Sequence, residues 1–323
     1  MRLFRRPGFI TISILLIIYL IIGIMGQHGY ASAVLGNAMD TMMYIGWALA
    51  LAIIMSYAGY VSFGHAVFVG LGAWMTALVV MNIMGTQPFT PTMFVFSLVL
   101  AAAASALLAF AVGFVVLRLR GAYFAIATIG LDYVILYLAV YMLRRAGIAP
   151  PLLFRNLNLT IQDFYWMHFI VFAITVIVAY LAKVSRFGLG LAAIREDEEA
   201  AEVMGVDTFR YKLLAFTLSA LLAGMWGAPL AFRQAKFDPY DYFSLLNSVI
   251  MIVENTVGGL GSFLGPIIGS YIYYALYWTL LTKIAQASFV VLGPLIVAII
   301  ALAPEGLVGW LRRRFPRLRG ALE

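Results

Sequence analysis

The feature that most constrains this sequence is one long charged segment in a chain that is otherwise almost continuously apolar. Residues 185–216, SRFGLGLAAIREDEEAAEVMGVDTFRYKLLAF, hold six acidic side chains, and five basic side chains lie within or beside them. A charge at the centre of a lipid bilayer costs roughly 3 kcal/mol or more, so this segment has to lie in water. The remainder is predicted to lie in a membrane, because 64% of all residues are hydrophobic and only 11% are charged.

Within this segment, residues at about 189–205 are predicted to form a short amphipathic helix. At 100° per residue, one half of the helix is apolar and contains Ala200, Ala201, Val203 and Met204. The other half is charged and contains Arg195, Glu198, Glu199 and Glu202. Glu196 and Asp197 fall in the first turn, where carboxylates meet the positive end of the helix dipole, and Gly205 can end the helix.

Composition and motifs argue against several classes of function. The chain has no cysteine, so it has no disulfide, no thiol nucleophile and no thiolate metal site. It has no G-x-x-x-x-G-K-[ST] motif, so it has no phosphate-binding loop of its own, and no catalytic constellation appears. His28 and His168 have no metal-like spacing, so no metal site is predicted. The net charge of +7 is predicted to reflect basic cytoplasmic loops and not nucleic-acid binding.

Ten membrane spans are predicted, on the scale of about 20 apolar residues per span. They lie at about 9–25, 39–57, 64–84, 92–117, 122–143, 164–182, 211–232, 243–258, 262–282 and 287–303. Several of them, especially the second, third, eighth and ninth, are short or interrupted by glycine, and the alternative is that they are re-entrant. The predicted fold is one all-α transmembrane helical bundle that takes up residues 1–323.

The distribution of basic residues predicts that both termini face the cytoplasm. With the N-terminus inside, 15 of the 21 lysines and arginines fall in cytoplasmic segments. Cytoplasmic loops of membrane proteins carry such an excess of positive charge. The same orientation places the charged segment on the cytoplasmic side, and it places Arg118 and Arg120 at the inner interface, where they can meet anionic membrane lipid.

The charged segment resembles a sequence motif of a known protein family. Glu199-Ala200-Ala201, three further residues and Gly205 match the E-A-A-x-x-x-G loop of ABC importer permeases, and the run AIREDEEAAEVMGV is similar to the branched-chain amino acid permease family. One departure lies downstream, where the general loop continues to Ile-x-Leu-Pro and residues 215–218 of this chain contain no proline. The resemblance implies that the predicted helix is a coupling helix that docks onto a separate ATP-binding subunit.

Three further motifs and a closing P-x-G-L resemble segments of the same family. The first is the run YAGYVSFGHAVFVGLGAW from Tyr57, in which glycines interrupt two predicted spans. The second is LRLRGAYFAIATIG from Leu117, followed by Asp132 where the family usually has a glutamate. The third is ENTVGGLGSFLGP from Glu254, which is a weak internal echo of the first. Paired breaks in two halves of a transporter often point to its translocation site.

These breaks, together with the few polar groups inside spans, give a predicted set of translocation-pathway residues. They are Ser62, Gly64, His65, Asp132, Glu254, Asn255, Gly259 and Gly261. An ionisable group inside a membrane is costly unless it is paired or hydrated, so such groups often mark a path for ions or solutes. The alternative is that the polar groups only join helices and the glycines only allow close packing.

The family resemblance implies the membrane subunit of an ABC importer in the inner membrane of a bacterium. It implies a homologous second permease subunit, two ATP-binding subunits that hold ATP and Mg²⁺, and a periplasmic binding protein. The chain itself is then not an enzyme and binds no cofactor. The implied cargo is a branched-chain or other hydrophobic amino acid, although related permeases carry urea, short amides or aromatic acids. The alternative of another class is an ion-coupled secondary transporter that uses Asp132 and Glu254.

Overall fold

The computed structural model describes residues 7–26, 32–83, 89–154, 157–283 and 306–314. Within these ranges the chain forms thirteen helices and one pair of short strands. The helices are α1 (Pro7–Gly26), α2 (Ser32–Ala52), α3 (Ala66–Ile83), α4 (Pro91–Val116), α5 (Ala122–Arg145), α6 (Ile161–Val184), α7 (Arg186–Glu196), α8 (Glu198–Val203), α9 (Thr208–Gln234), α10 (Pro239–Tyr242), α11 (Leu245–Gly258), α12 (Leu264–Lys283) and α13 (Gly306–Arg314). The strands β1 (Leu152–Leu153) and β2 (Lys236–Phe237) pair antiparallel.

The all-α prediction is confirmed for the described residues, and the strand pair is the one addition among them. In the described part of the chain, four helices, α4, α5, α6 and α9, are long and apolar enough to cross a membrane. Each of the first nine predicted spans overlaps a helix, but the second ends early, because α2 stops at Ala52 and residues 53–65 are not helical. The predicted tenth span, 287–303, lies outside the described residues.

Several helix ends are set by residues whose side chains suit a helix start. Thr160 begins α6 with a capping box, because its hydroxyl accepts from the N–H of Asp163 while the Asp163 carboxylate accepts from the N–H of Thr160. Ser185 caps α7 by accepting from the N–H of Gly188. Pro91 takes the first position of α4, where a backbone N–H is not needed. These local signals fix where long apolar helices give way to loops.

Helix α9 packs against α3 and α4 through glycines. A β-carbon on Gly72 of α3 would collide with the carbonyl of Gly224 in α9, and one on Gly227 would collide with the backbone nitrogen of Ala73. A β-carbon on Gly224 would meet Ser105 of α4. Small residues let helix backbones approach closely, and such packing drives helix association in lipid. Helices α3 and α9 therefore lie in the tightly packed centre of the bundle, and α4 packs on them from outside, with one face of apolar side chains exposed.

The bundle has two distinct ends. One of them, which we call the charged end, contains α7, α8, the loop at 117–121 and the turns at 53–65 and 259–263. Gly8 of α1 packs on Tyr180 near the end of α6, and Gly306 of α13 packs on Gly259, so the first and last described helices start at the charged end as well. The opposite end holds β1, β2 and α10.

Candidate functional site

The charged segment folds into two helices, whereas the sequence predicts one at 189–205. Helix α7 ends at Glu196 and α8 begins at Glu198, with Asp197 between them in an extended conformation (φ −160°, ψ 112°). The Asp197 carboxylate accepts a hydrogen bond from the N–H of Ala200 at 3.0 Å. Because Asp is a strong N-cap residue, it starts a new helix here instead of lying in the first turn of a longer one.

Gly205 ends α8, as the sequence predicts. Its φ is +88°, a conformation that glycine adopts without strain. Its N–H bonds to the carbonyl of Glu202 at 2.9 Å, and the N–H of Val206 bonds to the carbonyl of Ala201 at 3.0 Å. This pair of bonds is the Schellman motif, which stops the helix and turns the chain toward α9.

The last two apolar residues of the predicted coupling helix are exposed. Val203 is 87% exposed and Met204 is 83% exposed, whereas Ala201, from the same predicted half, is buried. The Glu199 side chain is 82% exposed and lies 3.3 Å from Arg120. We call Glu199, Val203 and Met204 together the α8 tip. Large apolar side chains grouped on a polar, water-facing segment are typical of a surface that a partner covers.

Glu198 faces the bundle, although the sequence groups it with the exposed acidic residues. Its carboxylate accepts hydrogen bonds from Lys212 Nζ of α9 and from the Tyr60 hydroxyl, each at 2.5 Å. Lys212 also donates to the Tyr60 oxygen at 3.0 Å, and Arg120 Nη2 lies 3.7 Å from Glu198. The side chains of Lys212 and Glu198 are only 5% and 14% exposed. These four residues, which we call the anchor cluster, join α8 to α9, to the turn at 53–65 and to the loop at 117–121.

The anchor cluster keeps Glu198 ionised. Burial raises the pKa of the Glu198 carboxyl, but hydrogen bonds from Lys212 and Tyr60 and the positive charges of Lys212 and Arg120 outweigh it, so the pKa lies below its ordinary value. The negative charge of Glu198 in turn raises the pKa of Arg120. Glu202, the third acidic residue of α8, accepts a hydrogen bond from the Thr208 hydroxyl at 2.6 Å. At neutral pH α8 is therefore held to the bundle by paired charges.

The break between α2 and α3 is held by side chains of other helices. The N–H of Ala66, the first residue of α3, donates to Ser248 Oγ of α11 at 2.7 Å. The N–H of Phe63 donates to Thr128 Oγ1 of α5 at 3.1 Å. The first N–H groups of a helix have no partner within it, so the Ser248 hydroxyl satisfies the buried N–H of Ala66. The Thr128 hydroxyl satisfies the N–H of Phe63, which lies in the turn before the helix. The break is thereby fixed to α5 and α11.

The three predicted pathway residues of this break are buried. Ser62 and His65 are fully buried, and His65 Nε2 lies 3.1 Å from Ser219 Oγ of α9. The Ser219 hydroxyl already donates to a carbonyl of α2, so Nε2 carries the hydrogen in this contact. Gly64 lies so close to α5 that a β-carbon would collide with the carbonyl oxygen of Thr128. Gly64 and His65 thus join the break to α5 and α9, whereas the buried Ser62 hydroxyl has no hydrogen-bond partner among the described residues.

Three of the four predicted residues in and before the turn at 259–263, Glu254, Asn255 and Gly259, are buried, and Gly261 is half-buried. Glu254 and Asn255 are fully buried, and Asn255 Nδ2 donates to the carbonyl of Ala48 at 3.0 Å. Gly259 and Gly261 both have positive φ, at +112° and +79°. Glycine is the residue that adopts such backbone conformations without cost, which explains why the turn is rich in it.

The two glycine-rich breaks, which the sequence relates only by a weak echo, are in direct contact. Ser56 Oγ in the first break accepts the N–H of Gly261 in the second at 2.8 Å. The Ser56 carbonyl accepts from Arg195 Nη1 of α7 at 3.1 Å. The predicted coupling segment and both breaks therefore meet at one place.

Asp132 lies on the buried stripe of α5, at 1% exposure, one turn after Thr128. The outward face of the same helix is exposed at Tyr133, Tyr137 and Tyr141. In the described structure, α5 therefore carries its carboxylate toward the bundle and its tyrosines away from it.

A cavity of about 610 Å³ opens at the charged end, between the first break, the start of α5 and the charged segment. Tyr60, Arg120, Arg195 and Glu198 supply its polar lining. None of the eight predicted pathway residues is among the described residues that line it.

The sequence did not predict two members of the anchor cluster, Tyr60 and Lys212. Tyr60 lies inside the family-like run from Tyr57, but Lys212 has no distinguishing sequence pattern around it.

Comparison with known proteins decides the family. A family model described as the permease component of branched-chain amino acid transport systems matches residues 33–300. The chain belongs to this family. The resemblance that the motifs predict is thereby confirmed, and the permease has the role of a membrane-spanning subunit of an ABC importer.

Individual relatives of the permease cover most of its length. It is 29% identical over 311 residues to the high-affinity branched-chain amino acid transport system permease protein LivM of Escherichia coli (strain K12), which covers 87% of this chain and 71% of the relative. It is 29% identical over 301 residues to the protein of the same name from Salmonella typhimurium, covering 84% and 69%. It is 27% identical over 210 residues to the probable branched-chain amino acid transport permease protein LivH of Methanocaldococcus jannaschii, covering 60% and 66%. No solved structure matches the permease significantly.

Proposed function

We propose that the permease moves branched-chain or other hydrophobic amino acids into a bacterial cell across its inner membrane, and that separate ATP-binding subunits drive it by binding α8. In this proposal the permease pairs with a homologous second permease subunit and receives its cargo from a periplasmic binding protein. ATP and Mg²⁺ are held by two partner subunits, and the permease itself is not an enzyme and binds no cofactor. The names of the relatives support the choice of cargo.

The observation that carries the proposal is the α8 tip on its anchor cluster. Val203 and Met204 are exposed, while Glu198 at the other end of the same short helix is fixed to Lys212. An apolar surface on a firmly held element can transmit a push or a pull from a partner, because the bundle cannot relax around it. That is what a coupling helix requires.

The proposed orientation places the charged end in the cytoplasm. ATP-binding subunits are cytoplasmic in this class of importer, so α8 has to face that side. Helices α1 and α13 both start at the charged end. This arrangement agrees with ten crossings and with both termini in the cytoplasm, as the distribution of basic residues predicts.

The replacement Met204→Asp tests the docking surface. A charge at the centre of an apolar contact should weaken binding of the ATP-binding subunits on the order of tenfold or more, because buried apolar anchors carry most of the energy of an interface. The measurement is the amount of ATP-binding subunit that copurifies with the folded permease. Glu199→Arg, which reverses a charge in the α8 tip, should also weaken binding of the ATP-binding subunits.

The matched control for Met204→Asp is Leu153→Asp, which changes an exposed leucine (61%) at the opposite end. It should leave copurification of the ATP-binding subunits unchanged. Equal copurification with Met204→Asp and with the unaltered permease would rule out the α8 tip as the docking surface.

The cargo is tested by uptake into proteoliposomes that contain the permease, its partner subunits and the binding protein. We expect ATP-dependent accumulation of radiolabelled leucine. Accumulation of urea, a short amide or an aromatic acid with exclusion of leucine would contradict the proposed cargo. Uptake that survives without ATP hydrolysis and collapses with a protonophore would instead support ion coupling through Asp132 and Glu254.

A further inference from the structure

Arg195, near the end of α7, lies in a slot formed by the two glycine-rich breaks. A β-carbon on Gly261 would collide with Arg195 Nη1, and one on Gly59 would lie 3.1 Å from Arg195 Cγ. Both glycines have positive φ, at +79° and +83°. The two breaks thus lack side chains at the two points where the arginine passes between them.

Hydrogen bonds fix the guanidinium in this slot. Nη1 donates to the carbonyl of Ser56 at 3.1 Å, and Nε and Nη2 donate to Glu196 Oε1 at 3.3 and 2.6 Å. Ser56 also accepts the N–H of Gly261 through its hydroxyl, at 2.8 Å. Ser56 thus contacts the arginine through its carbonyl and the second break through its hydroxyl, and it links Arg195 to both breaks.

The breaks in turn connect to helices that lie far apart in the sequence. The first break joins α2 to α3 and is bonded to α5 and α11 through Phe63 and Ala66. The second joins α11 to α12, and Gly306 of α13 packs on its Gly259. Asp197 alone separates α7, which carries Arg195, from α8, which carries the exposed tip.

We propose that Arg195 is the positioning residue that transmits movement of α7 and α8 to both glycine-rich breaks at once. The proposal rests on the proposed function, because it takes ATP-binding subunits at α8 as the source of the movement. The guanidinium suits this role because it donates in several directions from one rigid plane. Lysine at this position keeps the charge but not the planar set of donors.

The replacement Arg195→Gln tests the proposal in the reconstituted complex, with solute moved per ATP hydrolysed as the measurement. We expect this ratio to fall on the order of tenfold, within the range of coupling between distant sites, while ATP hydrolysis and the amount of assembled complex stay near those of the unaltered protein. Arg195→Lys should lower the ratio as well, by less. A role in folding alone would lower the amount of complex and leave the ratio unchanged, and that result would overturn the proposal.

Two control variants test whether a lower ratio comes from loss of the slot itself. Arg186→Ala controls for the loss of a positive charge, and Gly147→Ala controls for the strain of alanine at a positive φ. Arg186→Ala removes an exposed arginine from the other end of α7 and should leave the ratio unchanged. Gly261→Ala should lower the ratio, because the added methyl group displaces the guanidinium. Gly147→Ala introduces an alanine at a similar φ of +74° with nothing within 4 Å, and it should leave the ratio unchanged. Equal ratios for Gly261→Ala and Gly147→Ala would count against the slot.

A measurement on the unaltered complex keeps the proposal testable if the Arg195 variants do not assemble. Hydrogen exchange of the Gly261 amide, which is bonded to Ser56, should differ between the nucleotide-free complex and the complex trapped with a non-hydrolysable nucleotide. Equal exchange in the two states would overturn the proposal. If Met204→Asp releases the ATP-binding subunits but Arg195→Gln keeps the normal ratio, the proposed function stands and this inference alone fails.

Discussion

Replacing Lys212 with methionine is expected to lower the free energy of unfolding of the permease by about 3 kcal/mol or more. The change leaves the Glu198 carboxylate, whose side chain is 14% exposed, without its closest positive partner. Breaking a buried ion pair by removing one partner costs about 3–5 kcal/mol. Tyr60 and Arg120 remain near the Glu198 carboxylate, so we expect a cost at the lower end of that range. The measurement is the melting temperature of the purified permease in detergent micelles, compared with that of the unaltered protein.

Two further variants define what the Lys212 result means. Lys236→Met removes a lysine that is 33% exposed and pairs with Asp241 at the opposite end, and it should cost no more than about 1 kcal/mol. The double variant with Lys212→Met and Glu198→Gln should recover part of the stability, because it leaves no unpaired buried charge. A double variant as unstable as Lys212→Met would show that lost packing, and not the unpaired carboxylate, causes the damage.

The pH dependence of stability gives a second check on the anchor cluster. The folded-state pKa of Glu198 lies below its ordinary value, so its stabilising contribution is present above the unfolded-state pKa of about 4.3 and is lost as the pH falls through the folded-state pKa. The difference in melting temperature between the unaltered permease and Glu198→Gln should therefore be full at pH 7 and should narrow below about pH 4. A difference that is constant across this range would contradict the pairing.

The orientation of Glu198 illustrates what the sequence cannot provide. A helical wheel groups it with Glu199 and Glu202, because the wheel knows only the spacing along one continuous helix. Two tertiary facts change the outcome. Asp197 starts a new helix, and a lysine 14 residues later returns to the same place from α9. Neither follows from periodicity, because the partner of a charge is chosen by the fold.

The long helices and the breaks, in contrast, follow closely from the residues. Hydropathy predicts the long helices, since a helix has to satisfy its own backbone in lipid. Glycine spacing predicts the break between α2 and α3 and the turn after α11. The sequence cannot tell whether His65 and Glu254 line a pathway or join helices, because both roles place a polar group inside a span. The structure places both side chains in full burial, and their part in transport stays a prediction.

Replacing Gly64 with alanine is expected to be about as damaging as the loss of Lys212. The new methyl group would collide with the carbonyl oxygen of Thr128, which belongs to the backbone of α5 and cannot rotate away as a side chain can. Adding a methyl group to a well-packed core lowers the free energy of unfolding by about 1–3 kcal/mol. For Gly64→Ala we expect a loss at the upper end of that range. Separation of the break from α5 would also lengthen the bond from the N–H of Phe63 to Thr128 Oγ1. We expect a lower melting temperature and loss of solute uptake.

Two controls make the Gly64 result specific to the contact between the break and α5. Gly130→Ala, in the same helix α5, adds a methyl group where nothing lies within 4 Å, so it should leave the melting temperature unchanged or raise it slightly, because alanine favours a helix. Thr128→Val removes only the hydroxyl that accepts from Phe63, and it should cost about 1 kcal/mol with uptake retained. If Gly64→Ala behaves like Gly130→Ala, α5 is free to move away from the break, and the break is then positioned by α9 and α11 alone. If Gly64→Ala keeps its stability but loses uptake, the contact serves transport and not folding, as the predicted pathway role of Gly64 requires.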